Sequence, residues 1–478
     1  MSETTKTTTT TTTTTTNSSD NYNNNNSEID NSTDNLEQPT VEGGDIEDLS
    51  NYILSKIDES STATGRPARK YSEQDTSTPE WFEHKKHFFI LSFSGKPIYS
   101  RYGDEVALNT FMASLSAMSS FVESSNDELR YITAGKYQFV FIQKNPLNLV
   151  CIANTGEPYQ MIKQQLEYIH ALIISVLTQS NIKAVFEAKY DLRDLLGGTD
   201  KYLDNFIHQT NSDFSILLNS VNCLRLNNNI RNSITNILSN RKCDSLLFSY
   251  LISGNKLIST VKHKKTPSLK SQDIHIVMNY VLSTSSFRES ESWIPICLPN
   301  YNDSGFLHLY ICYLYSDVCL LLFSNQAESF YQMNEIKTLV SKDMEQESLV
   351  DELNRAVALH DYTTAFTEVP NLLHFLYKNR SSNYSTYPVF SPPYSIHKKE
   401  KKRLFRLYQH IINHVNNSSN KPHKYYYHTS ATETIIVAIS NHHELYATFS
   451  PLENKKNVFE SFTFLLQWIT KDNSIIIQ

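Results

Sequence analysis

The chain has 478 residues, 40% hydrophobic, 12% aromatic and 19% charged, a length and composition for about three globular domains rather than a wholly disordered polymer. Only 11 residues are glycine, and their spacing makes neither G-x-G-x-x-G nor G-x-x-x-x-G-K-[ST], which argues against a nucleotide-driven motor or a dinucleotide enzyme. The net charge of −7 is uneven: residues 1–83 carry 5 basic and 16 acidic side chains, and the remainder is slightly basic.

Residues 1–80 open with a Thr tract, pass through an Asn-rich run and stay rich in Ser, Asp and Glu. Such a segment buries too little apolar surface to offset chain entropy, so it reads as a disordered acidic tail. Within it, Ile46, Leu49, Ile53 and Leu54 lie on one helical face and suggest a short element that folds on docking. The tail lacks a secretory signal, the six cysteines form no C-x-x-C pair, and apolar runs such as 171–177 are too short to span a bilayer. These features predict a cytoplasmic protein that meets membranes only peripherally. No metal or cofactor site is indicated, and nothing points to nucleic acid.

From Trp81 onward one pattern recurs three times. Strand-turn-strand segments occupy 86–103, 245–263 and, more loosely, 371–390, with turns at Ser94-Gly95-Lys96, Ser253-Gly254-Asn255 and Asn379–Ser382. A helix follows each hairpin; in the first, Ala107, Phe111, Leu115, Met118 and Val122 form the predicted apolar stripe over 104–122. Further strands come next, at 137–154, 305–325 and 424–441, and amphipathic helices close each block at 160–178, 327–343 and 456–470. The order predicts an α/β chain of the α+β type, with three related domains of antiparallel sheet flanked by helices. Their expected limits are 84–210, 243–343 and 370–478, with linkers near 211–243 and 344–370. Asp191-Leu192-Arg193-Asp194 before Gly197-Gly198 reads as a helix cap and turn.

Three segments carry a family likeness: "KKHFFILSFSGKPIYSRYG" near the start of the first block, "SSFRESESWIPICLPNYNDSGFLHLYICYL" (285–314) in the second, and "LLHFLYKNRSSNYSTYPVFSPPY" (372–394) in the third. In this order they resemble the SAND/Mon family of vacuolar fusion proteins. The resemblance implies three longin domains, each a five-stranded antiparallel sheet with helices on its faces. It also implies an obligate heterodimer with a Ccz-type tri-longin partner. The pair would be a guanine nucleotide exchange factor for a Rab-seven type GTPase of late endosomes and vacuoles, recruited by an upstream endosomal Rab and phosphatidylinositol 3-phosphate. Exchange needs no covalent chemistry, because tighter binding of the nucleotide-free GTPase expels the ligand. The rival reading is a longin-based trafficking adaptor or tether without exchange activity.

The likeness suggests roles for residues of the first and second domains, and the charge pattern suggests one in the third. In the first domain Lys96, Arg101 and Tyr102 lie in the hairpin segment closest to the family pattern, and Asp104, Glu105, Asn109, Ser116 and Ser120 lie opposite the predicted stripe. All are candidates for the GTPase face or, equally, solvated surface. Trp293 is a candidate for the surface receiving the recruiting Rab, or for local core. Lys398, Lys399, Lys401, Lys402 and Arg403 precede an amphipathic helix and read either as a cluster attracted to anionic phosphoinositide membrane or as a solvated face.

Overall fold

The computed structural model describes residues 74–477 except 189, 265, 316, 360, 418–423, 472–473 and 475–476. The acidic tail to residue 73, with its candidate helix at 46–54, lies outside the described residues. The segment before the expected start of the first domain packs onto it. Helix α1 (Pro79–Glu83) buries Trp81, whose indole Nε1 donates to the Tyr102 carbonyl at 3.1 Å. A Cβ at Gly103 would collide with the Thr76 side chain, so this upstream segment is packed tightly onto the domain.

Strands β1 (Lys86–Ser92), β2 (Pro97–Ser100), β3 (Tyr131–Ala134), β4 (Tyr137–Lys144) and β5 (Leu147–Ala153) form an antiparallel sheet ordered β2-β1-β5-β4-β3. Its two central strands, β1 and β5, are buried at every position because helices cover both faces. Phe89 and Leu91 point to α2 (Asn109–Glu123), while Phe88 and Ile90 point to α3 (Tyr159–Leu177). Alternating side chains thus feed two cores rather than one core and solvent. Helices α4 (Gln179–Glu187), α5 (Leu192–Leu195), α6 (Asp200–Gln209) and α7 (Phe214–Leu217) complete this part of the chain.

The same strand order is built twice more. After β6 (Val221–Asn222) and α8 (Asn228–Ser239), the strands β7 (Leu246–Ser253), β8 (Lys256–Lys262), β9 (Ser292–Leu298), β10 (Asn302–Tyr315) and β11 (Val318–Ser324) pair as β8-β7-β11-β10-β9. Helices α9 (Ser271–Ser283), α10 (Phe330–Gln346) and α11 (Leu349–Ala358) flank them. In the third domain β12 (Leu372–Asn379), β13 (Tyr384–Thr386), β14 (Tyr425–Thr429), β15 (Thr434–Ile439) and β16 (His443–Phe449) pair as β14-β15-β16-β12-β13. There α12 (Lys398–Asn417) covers one face with Leu404, Tyr408, Ile411 and Val415, and α13 (Lys455–Lys471) covers the other with Val458, Phe462, Leu465 and Ile469.

The two expected linkers are structured. Helix α8 buries Ile234, Ile237 and Leu238 against the second sheet, and α11 does so with Leu349 and Leu353. Asn and Ser dominate the α8 sequence and mask this spacing. Strand β6 pairs in parallel with β13, and neighbouring Cys223 bridges to Leu257 of β8, so one short segment joins the second and third sheets.

Helix α3 is the centre of the assembly. Its buried residues share a core with the second sheet and α9, and Met161 joins the core under α12. At its N-terminal end the Glu157 carboxylate, fully buried, is paired with Lys86 of β1 and Arg406 of α12. It also accepts from Thr155 (2.8 Å), Gln165 (2.7 Å) and Gln409 of α12 (3.1 Å). One carboxylate therefore clamps the first domain to the third. Among the described residues no single helix is long and apolar enough to cross a membrane. The bent pair α3–α4 has suitable composition, and the apolar side chains of α3 are spent on these cores.

Candidate partner-binding surfaces

In the first domain, Gly95 adopts φ +83° in the β1–β2 turn and packs against α2, where an added Cβ would meet Ser116 at 3.1 Å. Ser116 Oγ donates to the Phe93 carbonyl at 3.2 Å, and Ser119 accepts from Gln143. Small serines thus let helix and hairpin approach closely.

Most of the candidate residues of this hairpin face contacts within the domain, and Lys96 is exposed. Lys96 pairs with Asp191, which caps α5 by accepting from the Arg193 amide at 3.0 Å, as the cap-and-turn reading expects. Arg101 Nη1 donates to the Asp204 carbonyl (2.9 Å) and carboxylate (3.3 Å) on α6. Tyr102 stacks on His84 with ring centroids 3.7 Å apart. Glu105 is buried, accepting from the Ser100 amide at 3.0 Å and pairing with Arg193 at 3.6 Å. Ser116 is buried too. Asp104, Asn109 and Ser120 remain exposed. The hairpin residues therefore tie β1–β2 to α1, α5 and α6.

The apolar face of α2 differs from the expected stripe. The helix starts at Asn109, after a turn over 105–108, so residues before it do not share its period. Leu108, Met112 and Leu115 face the core, and of the predicted stripe only Leu115 is buried. Phe111, Met118 and Phe121 turn outward, Phe121 being 77% exposed. Nearby in sequence, Val106 is exposed, as is Tyr131 on the edge strand β3, which is largely solvent-facing. Large apolar side chains gathered on one helix face of a folded domain make that face a candidate partner-binding surface. Phe111 and Met118 of the expected stripe, with Phe121, form this outward set, and periodicity cannot say whether they or Leu108, Met112 and Leu115 face the sheet.

Trp293 lies on β9, the edge of the second sheet, and is half-buried. Its Nε1 donates to the Ala327 carbonyl (3.0 Å), and its ring stacks on His308 (5.5 Å) and meets Phe330 edge-on (6.3 Å). Trp293 therefore has one side packed against Ala327, His308 and Phe330 and remains partly open on the edge strand.

The basic cluster at the start of α12 divides. Lys398, Lys399 and Lys402 are exposed, whereas the Lys401 ammonium lies over the Phe390 ring at 5.6 Å. Arg403 grips the buried Glu433 through two hydrogen bonds, of 2.6 and 2.8 Å, and Glu400 through a third of 2.7 Å. Burial pushes the Glu433 carboxyl up, and the hydrogen bonds from Arg403 and Thr432 outweigh it, leaving it below its ordinary value. Arg403 belongs to the third domain's internal structure, and three lysines carry the exposed charge.

Comparison with known proteins accounts for all three domains. Residues 86–206, 244–342 and 371–473 match, respectively, the first, second and third longin domains of FUZ, MON1 and HPS1. Over 404 residues the chain is 39% identical to the vacuolar fusion protein MON1 homolog A of Gallus gallus, covering 84% of this chain and 73% of that protein. It is 38% identical to Protein SAND of Takifugu rubripes (85% and 78% covered) and 33% identical to the MON1 homolog of Arabidopsis thaliana (81% and 68%). Similarity of this extent, in the strand order found in each sheet, means that the chain belongs to the MON1/SAND family of vacuolar fusion proteins.

Proposed function

We propose that this chain is one subunit of a heterodimeric guanine nucleotide exchange factor acting in vacuolar fusion trafficking. Its partner is a Ccz-type tri-longin chain, and the pair opens the nucleotide site of a Rab-seven type GTPase on late endosomes and vacuoles. The observation that carries the reading is the outward apolar face of α2, with Phe111, Met118 and Phe121 on a well-packed domain. A surface of this kind favours assembly with another folded protein over the binding of a small molecule. Family membership supports the trafficking role. Trp293 and the lysines at 398, 399 and 402 supply surfaces suited to an upstream Rab and to anionic phosphoinositide membrane, consistent with peripheral attachment. Exchange follows from differential affinity: the pair binds the nucleotide-free GTPase more tightly than the loaded form, so nucleotide leaves without a covalent step.

Release of fluorescent GDP from the Rab-seven type GTPase tests this, with this chain alone, the partner alone and the two together. Acceleration by the pair and by neither subunit alone is expected. A stable complex of the two chains that leaves the release rate unchanged overturns the exchange reading in favour of an adaptor or tether.

A further inference from the structure

The third sheet ends on an unpaired strand. Strand β14 pairs with β15 on one side and, among the described residues, with nothing on the other. Its counterpart in the second sheet, β9, is instead packed against α3 of the first domain. Register decides which backbone groups of β14 face outward. The Ile439 amide donates to the Lys424 carbonyl at 2.8 Å, and the two strands then pair from Tyr425–Ala438 to Thr429–Thr434 without a break. Hydrogen-bonded pairs alternate along an antiparallel ladder, so Tyr426 and His428 bond to β15, while the amides and carbonyls of Tyr425, Tyr427 and Thr429 point away from it. Tyr425 is 69% exposed, and Thr429 is exposed too. Such a row of alternate donors and acceptors is a template for another strand. The same sheet already accepts one at its far edge, where β6, from outside the domain, pairs in parallel with β13.

Side chains beside this edge narrow the kind of strand it fits. Tyr425 and Tyr427 point to the face covered by α13, where the Tyr427 ring stacks on Phe459 with centroids 5.9 Å apart. A groove of about 420 Å³ on α13 is lined by Phe459, Glu460, Thr463, Phe464 and Gln467, and Phe464 is 49% exposed. The Lys455 ammonium lies over the Tyr427 ring at 5.3 Å, and neither Lys455 nor the exposed Lys424 makes an ion pair among the described residues. Glu460 is paired with Lys456 at 3.8 Å, and Glu453 is held by Asn371 and Asn457 beside β12, three strands from β14. The edge is therefore positive at Lys424 and Lys455 and apolar along Phe459 and Phe464.

We propose that β14 is a docking strand for an extended peptide segment of another protein. The segment adds to the sheet at Tyr425, Tyr427 and Thr429, sets an apolar side chain against Phe459 and Phe464, and brings acidic side chains beside Lys455 and Lys424. Main-chain hydrogen bonds supply the affinity and alternate side chains the selection. The site is on the third domain, apart from the α2 face, and does not rest on exchange activity.

Fluorescence anisotropy with the full chain tests the proposal, using a labelled heptapeptide that alternates Asp or Glu with Val around a central Phe. Saturable one-to-one binding is expected, and the same peptide with Lys in place of the acids should bind at least about tenfold more weakly. N-methylation of one alternate set of peptide amides should abolish binding and of the other set should spare it, because a strand offers only every second amide to its neighbour. Tyr425→Pro removes an outward amide and should weaken binding about tenfold at unchanged thermal stability, whereas Tyr425→Thr, which keeps the amide, should lose no more than about threefold. Phe464→Asp should weaken binding about tenfold as well. The proposal is overturned if the acidic peptide does not bind saturably, if the two methylated peptides bind alike, or if Tyr425→Pro binds like the parent chain. A dimer of the chain in sedimentation that Tyr425→Pro dissolves overturns it in favour of a second copy at this edge.

Discussion

Replacing Glu157 by Gln removes the only carboxylate seen among the described residues of the cluster that joins β1 to α12, and leaves the buried Lys86 ammonium and the part-buried Arg406 guanidinium without it. Breaking a buried ion pair from one side costs about 3–5 kcal/mol. With an unfolding entropy of about 2.1 cal/mol/K per residue, roughly 400 residues unfolding together lose about 4–6 °C of Tm for that cost. Stability itself should depend on pH in a definite direction. Burial lowers the Lys86 ammonium to about 7, whereas in the unfolded chain it titrates near an ordinary lysine value of about 10.4. Between those limits the unfolded state binds more protons than the folded state, so this group makes the stability of the parent chain rise with pH, by up to about 1.4 kcal/mol per unit. Thermal unfolding at about pH 6 and about pH 9, together with hydrogen exchange of α12, measures both effects. The triple change Glu157→Leu, Lys86→Met, Arg406→Leu should recover much of the loss, because apolar replacement of a whole buried cluster is often neutral. A Glu157→Gln protein that melts within about 1 °C of the parent at both pH values would refute the clamp.

Four other outcomes follow from the surfaces. Met118→Asp with Phe121→Asp should abolish partner assembly and GDP release while changing stability by no more than about 0.5 kcal/mol, as exposed sites do; co-purification and calorimetry check it. Lys398→Ala, Lys399→Ala and Lys402→Ala together should weaken co-sedimentation with anionic liposomes by about 3 kcal/mol in total, roughly a hundredfold, without unfolding. Arg403→Ala should instead destabilise the third domain by about 2 kcal/mol, a screened value for a part-exposed arginine facing a buried carboxylate; because the Glu433 pKa is lowered, this contribution is complete above about pH 4.5 and fades as pH falls through the folded value. Trp293→Ala should lose capture of the upstream Rab with near-UV circular dichroism retained, and unchanged capture would reduce that residue to packing.

Much of the fold was legible because three hairpins, each followed by a helix, further strands and a closing helix, repeat in one order, and period-two and period-3.6 patterns are local. The turns at Gly95 and Gly254 and the Asp191 cap were readable for the same reason. Helices α8 and α11 were missed where polar Asn, Ser and Glu residues surround the few apolar positions that pack. On α2 the sequence held two apolar sets, and the rotation that buries Met112 and exposes Phe121 was decided by the turn before Asn109 and by Gly95 against Ser116. Among the basic residues, charge alone could not separate Arg403 from Lys398 or Lys402; a buried carboxylate on β15's approach made that distinction.

The sequence by itself determined the number of domains, the family and the types of side chain available for partners, all of which rest on local pattern and composition. Only the tertiary structure decided which faces stay open and what joins the domains. Lys86, Glu157 and Arg406 are far apart in the chain, and no local pattern links them. Their meeting exists only because α3 packs against the first sheet, the second sheet and α12 at once, where burial makes one carboxylate indispensable to two cations.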